Sequence, residues 1–185
     1  MTATEPFRVL VADDEPMLLD SYRYVIDDLS PRRDRMTELE EQLFGPADTP
    51  PVPEVDLCCV RQGEAAVAQV RDALAAGRRF GAAFLDMRMP PGISGLEAAK
   101  RIRALDGLIN IVIVSGFAGV DARKITQDVP PADRLFFLAK PFQARELQQY
   151  VLSFSARLEN DRIEKARRNE ELEAAAETRR SMHAS

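Results

Sequence analysis

The sequence predicts an α/β fold in which a parallel sheet is covered by helices on both faces. Three observations predict it. Five short apolar runs recur along the chain, stretches of helical period separate them, and acidic, hydroxyl and basic residues stand where the runs end. Strands joined by crossover helices run parallel, and layers on both faces leave such strands apolar throughout. The runs occupy 7–12, 55–60, 80–85, 109–114 and 135–139, each rich in Val, Ile, Leu or Phe. Their near-continuous apolarity predicts strands covered on both sides.

The stretches between them read as helices. Over 17–29, Leu18, Tyr22, Val25, Ile26 and Leu29 recur at helical spacing, and Pro16 is tolerated in a first turn. The pattern returns over 62–76 through Ala66, Val67, Val70 and Leu74 and stops at Gly77, a glycine placed to cap a helix C-terminus. Two shorter helices follow over 96–105 and 120–128, and a fifth begins near Gln143.

Two segments exceed a minimal five-strand, five-helix domain. The first, 30–53, lies where connections are normally a few residues long and reads as an insertion. Met36, Leu39, Leu43 and Phe44 predict a helical turn or two, whereas Pro46, Pro50, Pro51 and Pro53 predict extended chain. A surface elaboration is the simpler account of it; a partner-binding flap is the alternative. The second segment runs from Phe142 to Ser185 without Gly or Pro and reads as one long helix. Helical to about Arg180, it would extend on the order of 55 Å at ~1.5 Å per residue, so most of it must project. Leu147, Val151, Phe154 and Leu158 form a stripe that thins beyond them, and Asp161 with Lys165 and Glu164 with Arg168 are i, i+4 pairs. No sustained heptad register accompanies it, so a coiled coil rests on length more than on pattern. The predicted division is a domain over 1–155 and a helical linker or coiled-coil extension over 156–185.

Composition narrows the function classes. With 185 residues, the chain holds one domain plus appendages, and 45% hydrophobic with 30% charged residues excludes a mainly disordered protein. A net charge of -5 argues against nucleic acid or an anionic membrane as the direct partner. Residues 1–6 lack a basic region leading into an apolar stretch, and no window approaches the roughly 18 apolar residues needed to span a bilayer. A cytoplasmic location is therefore expected. Cys58 and Cys59 adjoin on one strand, point to opposite faces and read as inert core thiols.

The chemistry sits where the runs end. Asp13 and Asp14 follow the first, Asp86 ends the third, Ser115 the fourth and Lys140 the fifth. In an open parallel sheet the carboxyl ends of the strands share one rim, so residues far apart in sequence meet there. Three carboxylates on one rim repel each other unless a cation is present or a pKa rises. Oxygen donors without His or Cys select a hard ion with room for water and phosphate oxygens, Mg²⁺ or Mn²⁺. Lys140 supplies a fixed cation for a phosphoryl oxygen, and Ser115 a short hydrogen-bonding arm. Alone, Asp13 or Asp14 would read as a helix N-cap and Phe137 as plain core; their company with Asp86 and Lys140 makes those readings insufficient.

Val-Leu-Val-Ala-Asp-Asp-Glu-Pro at 9–16, Phe-Leu-Asp-Met-Arg-Met-Pro at 84–90, Val-Ser-Gly at 114–116 and Phe-Leu-Ala-Lys-Pro-Phe at 137–142 together resemble the receiver domains of bacterial two-component response regulators, over roughly 7–155. The resemblance implies a flavodoxin-like sheet of order 2-1-3-4-5 and a cis Lys140–Pro141 peptide. It also implies phosphorylation of Asp86 by a sensor histidine kinase or phosphotransfer protein. Mg²⁺ would be held by Asp14, Asp86 and the backbone carbonyl of Arg88, with Asp13 acting mainly through water. Ser115 would bind a phosphoryl oxygen, and Phe137 would be the aromatic switch. Output would pass through the switch face and the C-terminal helix, as a homodimer through that helix or the face of the fourth and fifth helices, or to an output domain. The run at 167–173 resembles signalling-helix linkers.

Several features depart from the family pattern. The loop at 89–95 is one residue longer than the common form and carries Ser94 in place of an acidic or amide residue, and Val-Pro-Pro-Ala-Asp-Arg at 129–134 replaces a Gly-Ala turn. Arg88 and Phe117 hold positions that in the family tune acyl-phosphate hydrolysis; their bulk predicts a long-lived phosphorylated state. A haloacid-dehalogenase-like phosphatase would need a second Asp where Arg88 stands, which leaves no general acid. A degenerate receiver serving only for docking would not need the full acceptor set. The chain reads as a phosphoacceptor that modifies and unmodifies itself, not as a turnover enzyme.

Overall fold

A computed structural model describes residues 5–29, 53–116 and 121–183, with side chains as far as Glu173. Five strands, β1 (Phe7–Ala12), β2 (Val55–Val60), β3 (Ala82–Asp86), β4 (Asn110–Ser115) and β5 (Leu135–Ala139), form one sheet. All neighbours are parallel and the order is β2-β1-β3-β4-β5, the doubly wound arrangement expected. The helices are α1 (Pro16–Asp27), α2 (Gly63–Ala75), α3 (Gly95–Leu105), α4 (Ala122–Asp128) and α5 (Ala144–His183), with one 3-10 turn at Ala132–Arg134.

Successive side chains along each strand pass to opposite faces, which divides the core in two. Leu10, Ala83, Leu85, Ile111 and Ile113 pack with Ala66 and Val70 of α2, Ala98, Ala99 and Ile102 of α3 and Ile125 of α4. Val9, Val11, Phe84, Val112 and Val114 pack instead with Leu19, Tyr22, Val25 and Ile26 of α1 and Leu147, Val151 and Phe154 of α5. Gly77 has φ 70°, and the amides of Gly77 and Arg78 bond back to the carbonyls of Leu74 and Ala73, closing α2 as predicted.

Some boundaries moved. β3 begins at Ala82, not at residue 80; Phe80 is buried just before it, with the Arg8 guanidinium 4.2 Å above its ring. Every residue of β2 is only half-buried, because the strand lies at the edge of the sheet. Cys58 and Cys59 do point to opposite faces, each against a different core cluster, but they are half-buried, not core, thiols. Desolvation pushes both thiols above their ordinary pKa. The predicted insertion lies outside the described residues except for Pro53, as do Phe117 and the start of the predicted fourth helix.

α5 has 40 residues, about 60 Å at ~1.5 Å per residue. Its first turns bury Leu147, Val151 and Phe154, and its last anchors on the domain are Arg157 to Asp133, Asp161 to Arg134 at 3.8 Å and Arg162 to Glu5 at 3.3 Å. Asp161, an i, i+4 partner for Lys165 by spacing, thus reaches across to the 3-10 turn before β5. From Ile163 to Glu173 the helix is exposed. Among the described residues, no helix is long and apolar enough to cross a membrane.

Candidate phosphoacceptor site

The chain runs from β1 to β2 on one side and returns to β3 on the other, so the β1/β3 boundary is the topological switch point and its carboxyl rim opens there. Asp13 extends β1 by one rung, its amide bonding to the Val60 carbonyl at 3.1 Å. Its Oδ1 accepts from the amide of Glu15 at 3.0 Å and so shapes the turn into α1. Glu15 is the N-cap residue of α1, so neither aspartate has that duty. Asp86 is the last residue of β3.

Lys140 follows β5, and its amide bonds to the carbonyl of Ser115 at 2.9 Å, which carries the β4–β5 ladder to the rim. Its peptide to Pro141 is cis. The ammonium reaches Asp13 Oδ2 at 2.7 Å and Asp86 Oδ1 at 2.8 Å, while the Arg88 amide donates to Asp86 Oδ2 at 3.2 Å. Both oxygens of Asp86 are therefore fixed. One carboxylate oxygen each from Asp13, Asp14 and Asp86 lies within 4.8 Å of the others. Asp13 and Asp86 are buried and Asp14 is half-buried.

The electrostatics follow from that crowding. Burial pushes the Asp86 carboxyl above the usual carboxylate range; the Lys140 ion pair and the Arg88 amide pull it down, Asp13 pushes it up again, and the balance stays upward. Burial disfavours the Lys140 ammonium, but Asp13 and Asp86 more than offset it and hold its pKa above the usual lysine value. Tyr22 lies beneath the site against Phe84 and Phe142, and desolvation together with Asp13 and Asp86 keeps its phenol neutral far into the alkaline range. Three carboxylates against the Lys140 ammonium and the Arg61 guanidinium at the Asp14 carbonyl leave the rim short of positive charge. The donor set is oxygen only, partly buried and open on the Asp14 side, which fits a small hard divalent cation.

A family model describing the response regulator receiver domain matches residues 54–152, more than half of the chain. The chain belongs to the response regulator receiver family. The match begins at β2 and leaves out β1 and α1; the parallel register Val9↔Ala82 to Ala12↔Leu85 places their acidic turn beside Asp86. No curated protein shows significant sequence similarity. Among solved structures, a receiver domain protein from Methanospirillum hungatei is similar with a TM-score of 0.60 at 16% identity, over 85% of this chain and 99% of that one. A receiver domain of a putative Luxo repressor from Vibrio parahaemolyticus gives 0.59 at 20% identity, over 86% and 97%. A receiver protein from Sinorhizobium medicae gives 0.55 at 22%, over 83% and 98%. At such identities these likenesses concern the fold.

Within this receiver, Asp13, Asp14, Asp86 and Lys140 meet as the strand ends predict, and Ser115 ends the neighbouring strand. Phe137 stands on β5, half-buried against the face covered by α2, α3 and α4, and its carbonyl accepts from the Tyr150 hydroxyl at 3.0 Å. Ser94, odd for the family, caps α3 by accepting from the Glu97 amide at 3.2 Å. Sequence reasoning missed Arg61, whose guanidinium donates to the Asp14 carbonyl at 3.2 Å, and Gln62 beside it. The signal was present: both follow β2, at the carboxyl rim that singled out the other site residues.

Proposed function

We propose that Asp86 is the phosphoacceptor of a two-component relay and that α5 carries the resulting signal. The observation that supports it is the fixation of both Asp86 oxygens, by Lys140 at 2.8 Å and the Arg88 amide at 3.2 Å, within a group of three carboxylates. A carboxylate oxygen of Asp86 attacks the phosphorus of a phosphohistidine on a kinase or phosphotransfer partner. The P–O bond forms as the P–N bond breaks, and the imidazole leaves with the electron pair. Asp14, Asp86 and the Arg88 carbonyl would hold Mg²⁺, with Asp13 next to it, and the ion would neutralise charge on the transferred group. Lys140 provides the matching cation on the other side, already charged and held without reorganisation. Ser115 binds a phosphoryl oxygen of the product, and Phe137 turns inward behind it.

Phe137 is tied to α5 through Tyr150, whose ring packs against Phe136, Phe84 and Phe154. That bond joins α5 to the backbone of β5, so a shift of the strand as Phe137 repacks on the opposite face would reach the helix. Two measurements test this function. Incubation with a small phosphodonor and Mg²⁺ should add one phosphoryl group, absent in Asp86→Asn; retention of the label in that variant refutes the acceptor assignment. Beryllofluoride, a phosphoryl mimic, should change the size of the full chain in solution by dimerisation through α5 or the α4–α5 face. An unchanged monomer refutes the dimer account and leaves a covalent or separate output partner.

A further inference from the structure

The segment between Asp86 and α3 has no regular structure, yet its second residue, Arg88, supplies the amide on Asp86. At its near end the Met87 amide bonds to the Val114 carbonyl at 2.9 Å and the Gly95 amide to the Met87 carbonyl at 3.1 Å. The far end is held by another part of the chain. Gln62 Nε2 donates to the Pro90 carbonyl at 3.2 Å while its Oε1 accepts from the Gly92 amide at 3.1 Å, an amide shared with the Met89 carbonyl at 3.0 Å, so one side-chain amide clasps two loop residues. Glu64 Oε1 accepts from the next amide, Ile93, at 2.9 Å.

Two glycines make the approach possible. A methyl group on Gly92 would overlap the side chains of Gln62 and Glu64, and one on Gly63 would lie 2.6 Å from Ile93 Cγ1 and 3.0 Å from the Ile93 carbonyl oxygen. Nor is Gln62 serving its own helix: it stands at the N-cap of α2, where a side-chain oxygen normally accepts from the first turn, and makes no such bond. Its capacity is directed at the loop. The loop is the one that departs from the family pattern by an extra residue, and added chain length increases the number of conformations that Arg88 could sample.

We infer that Gln62, assisted by Glu64, is a positioning residue for the phosphoacceptor site: it locks the loop 87–94 so that the Arg88 peptide stays registered on Asp86. The inference rests on the function proposed above, since it concerns the peptide assigned there to the metal. Gln62 and Glu64 have no contact with the reacting atoms and act through the loop.

The test uses the full chain with Gln62→Ala, Gln62→Glu and Glu64→Gln. In chelator, hydrogen exchange at the Arg88 amide should quicken in both Gln62 variants. The Mg²⁺ dissociation constant of the unphosphorylated chain, followed by amide chemical shifts, should rise about three- to tenfold, the factor expected for loss of one or two coupled hydrogen bonds. Gln62→Glu keeps the size of the side chain and the acceptor for Gly92 but sets a carboxylate oxygen against the Pro90 carbonyl where a donor stood, so the loop should be released at Pro90 as in Gln62→Ala; a packing role alone would spare it. Glu64→Gln keeps the acceptor for Ile93 and should resemble wild type. Unchanged Arg88 exchange and Mg²⁺ affinity in the two Gln62 variants, beside a wild type that binds Mg²⁺ and is phosphorylated on Asp86, overturn the inference alone. A wild type that does neither overturns the proposed function, and the inference falls with it.

Discussion

Lys140→Met tests how the acidic rim is balanced. The ammonium bridges Asp13 at 2.7 Å and Asp86 at 2.8 Å, with those carboxylate side chains only 2% and 11% exposed and Lys140 20% exposed. At an effective dielectric near 20, each contact carries about 6 kcal/mol of gross attraction. Most is spent on desolvating three charges, so the measurable loss is that of removing one partner from a buried pair, about 3 kcal/mol for a lysine that keeps some solvent. Methionine retains the unbranched stem, which separates charge from packing. Urea unfolding in EDTA should therefore show a variant about 3 kcal/mol less stable than wild type. Added Mg²⁺ should recover much of that difference, because the ion then faces the carboxylates without a competing cation, and its affinity should rise about tenfold, ~1.4 kcal/mol. Phosphoryl transfer should nevertheless fall, since Lys140 no longer meets the incoming group. A variant as stable as wild type in EDTA, or equal stabilisation of both by Mg²⁺, would refute this account of the site's electrostatics.

Other expectations follow from the same geometry. Asp86 is held above the usual carboxylate range, so its contribution to stability is present below the unfolded-state pKa, about 4, and lost as pH rises through the folded-state value. In EDTA, Asp86→Asn should thus be more stable than wild type at neutral pH, with the difference closing as pH falls toward 4; a constant difference across that window would contradict the shift. A methyl at Gly95 would overlap the Asp86 carbonyl oxygen and lie 2.8 Å from its carbon, both backbone atoms that cannot turn aside, so Gly95→Ala should cost about 1–3 kcal/mol and weaken Mg²⁺ binding. Wild-type values by unfolding and titration would show that α3 can move away freely. Arg88→Ala keeps the amide on Asp86 while removing the bulky cation, and loss of the phosphoryl label should quicken; label lost at the wild-type rate would remove Arg88 from the control of hydrolysis.

How much of the site could be read in advance depends on how local its causes are. Asp13, Asp86 and Lys140 were legible because each follows an apolar run, and a parallel sheet sends all strand ends to one rim. Gln62 obeys the same rule, but its role depends on a loop 28 residues further on, and nothing in the spacing announces that contact. Tyr150 lies outside the predicted stripe of Leu147, Val151, Phe154 and Leu158, and nothing in the sequence singled it out. Its hydroxyl bond to Phe137 depends on how α5 lies over β5, a matter of packing.

By itself the sequence determined the alternation of strands and helices, the acidic turn after β1, the acceptor at the end of β3 and the lysine after β5. Periodicity and turn chemistry act over a few residues and survive without tertiary context. Only the tertiary structure decided that β2 is half-buried at the sheet edge, that Asp161 pairs with Arg134 across the domain, and that Lys140 bridges two aspartates more than fifty residues away. Edge position, long-range ion pairing and loop clasping are properties of proximity in space. Proximity of segments distant in the chain is set by which faces pack together, a choice made by the whole core at once.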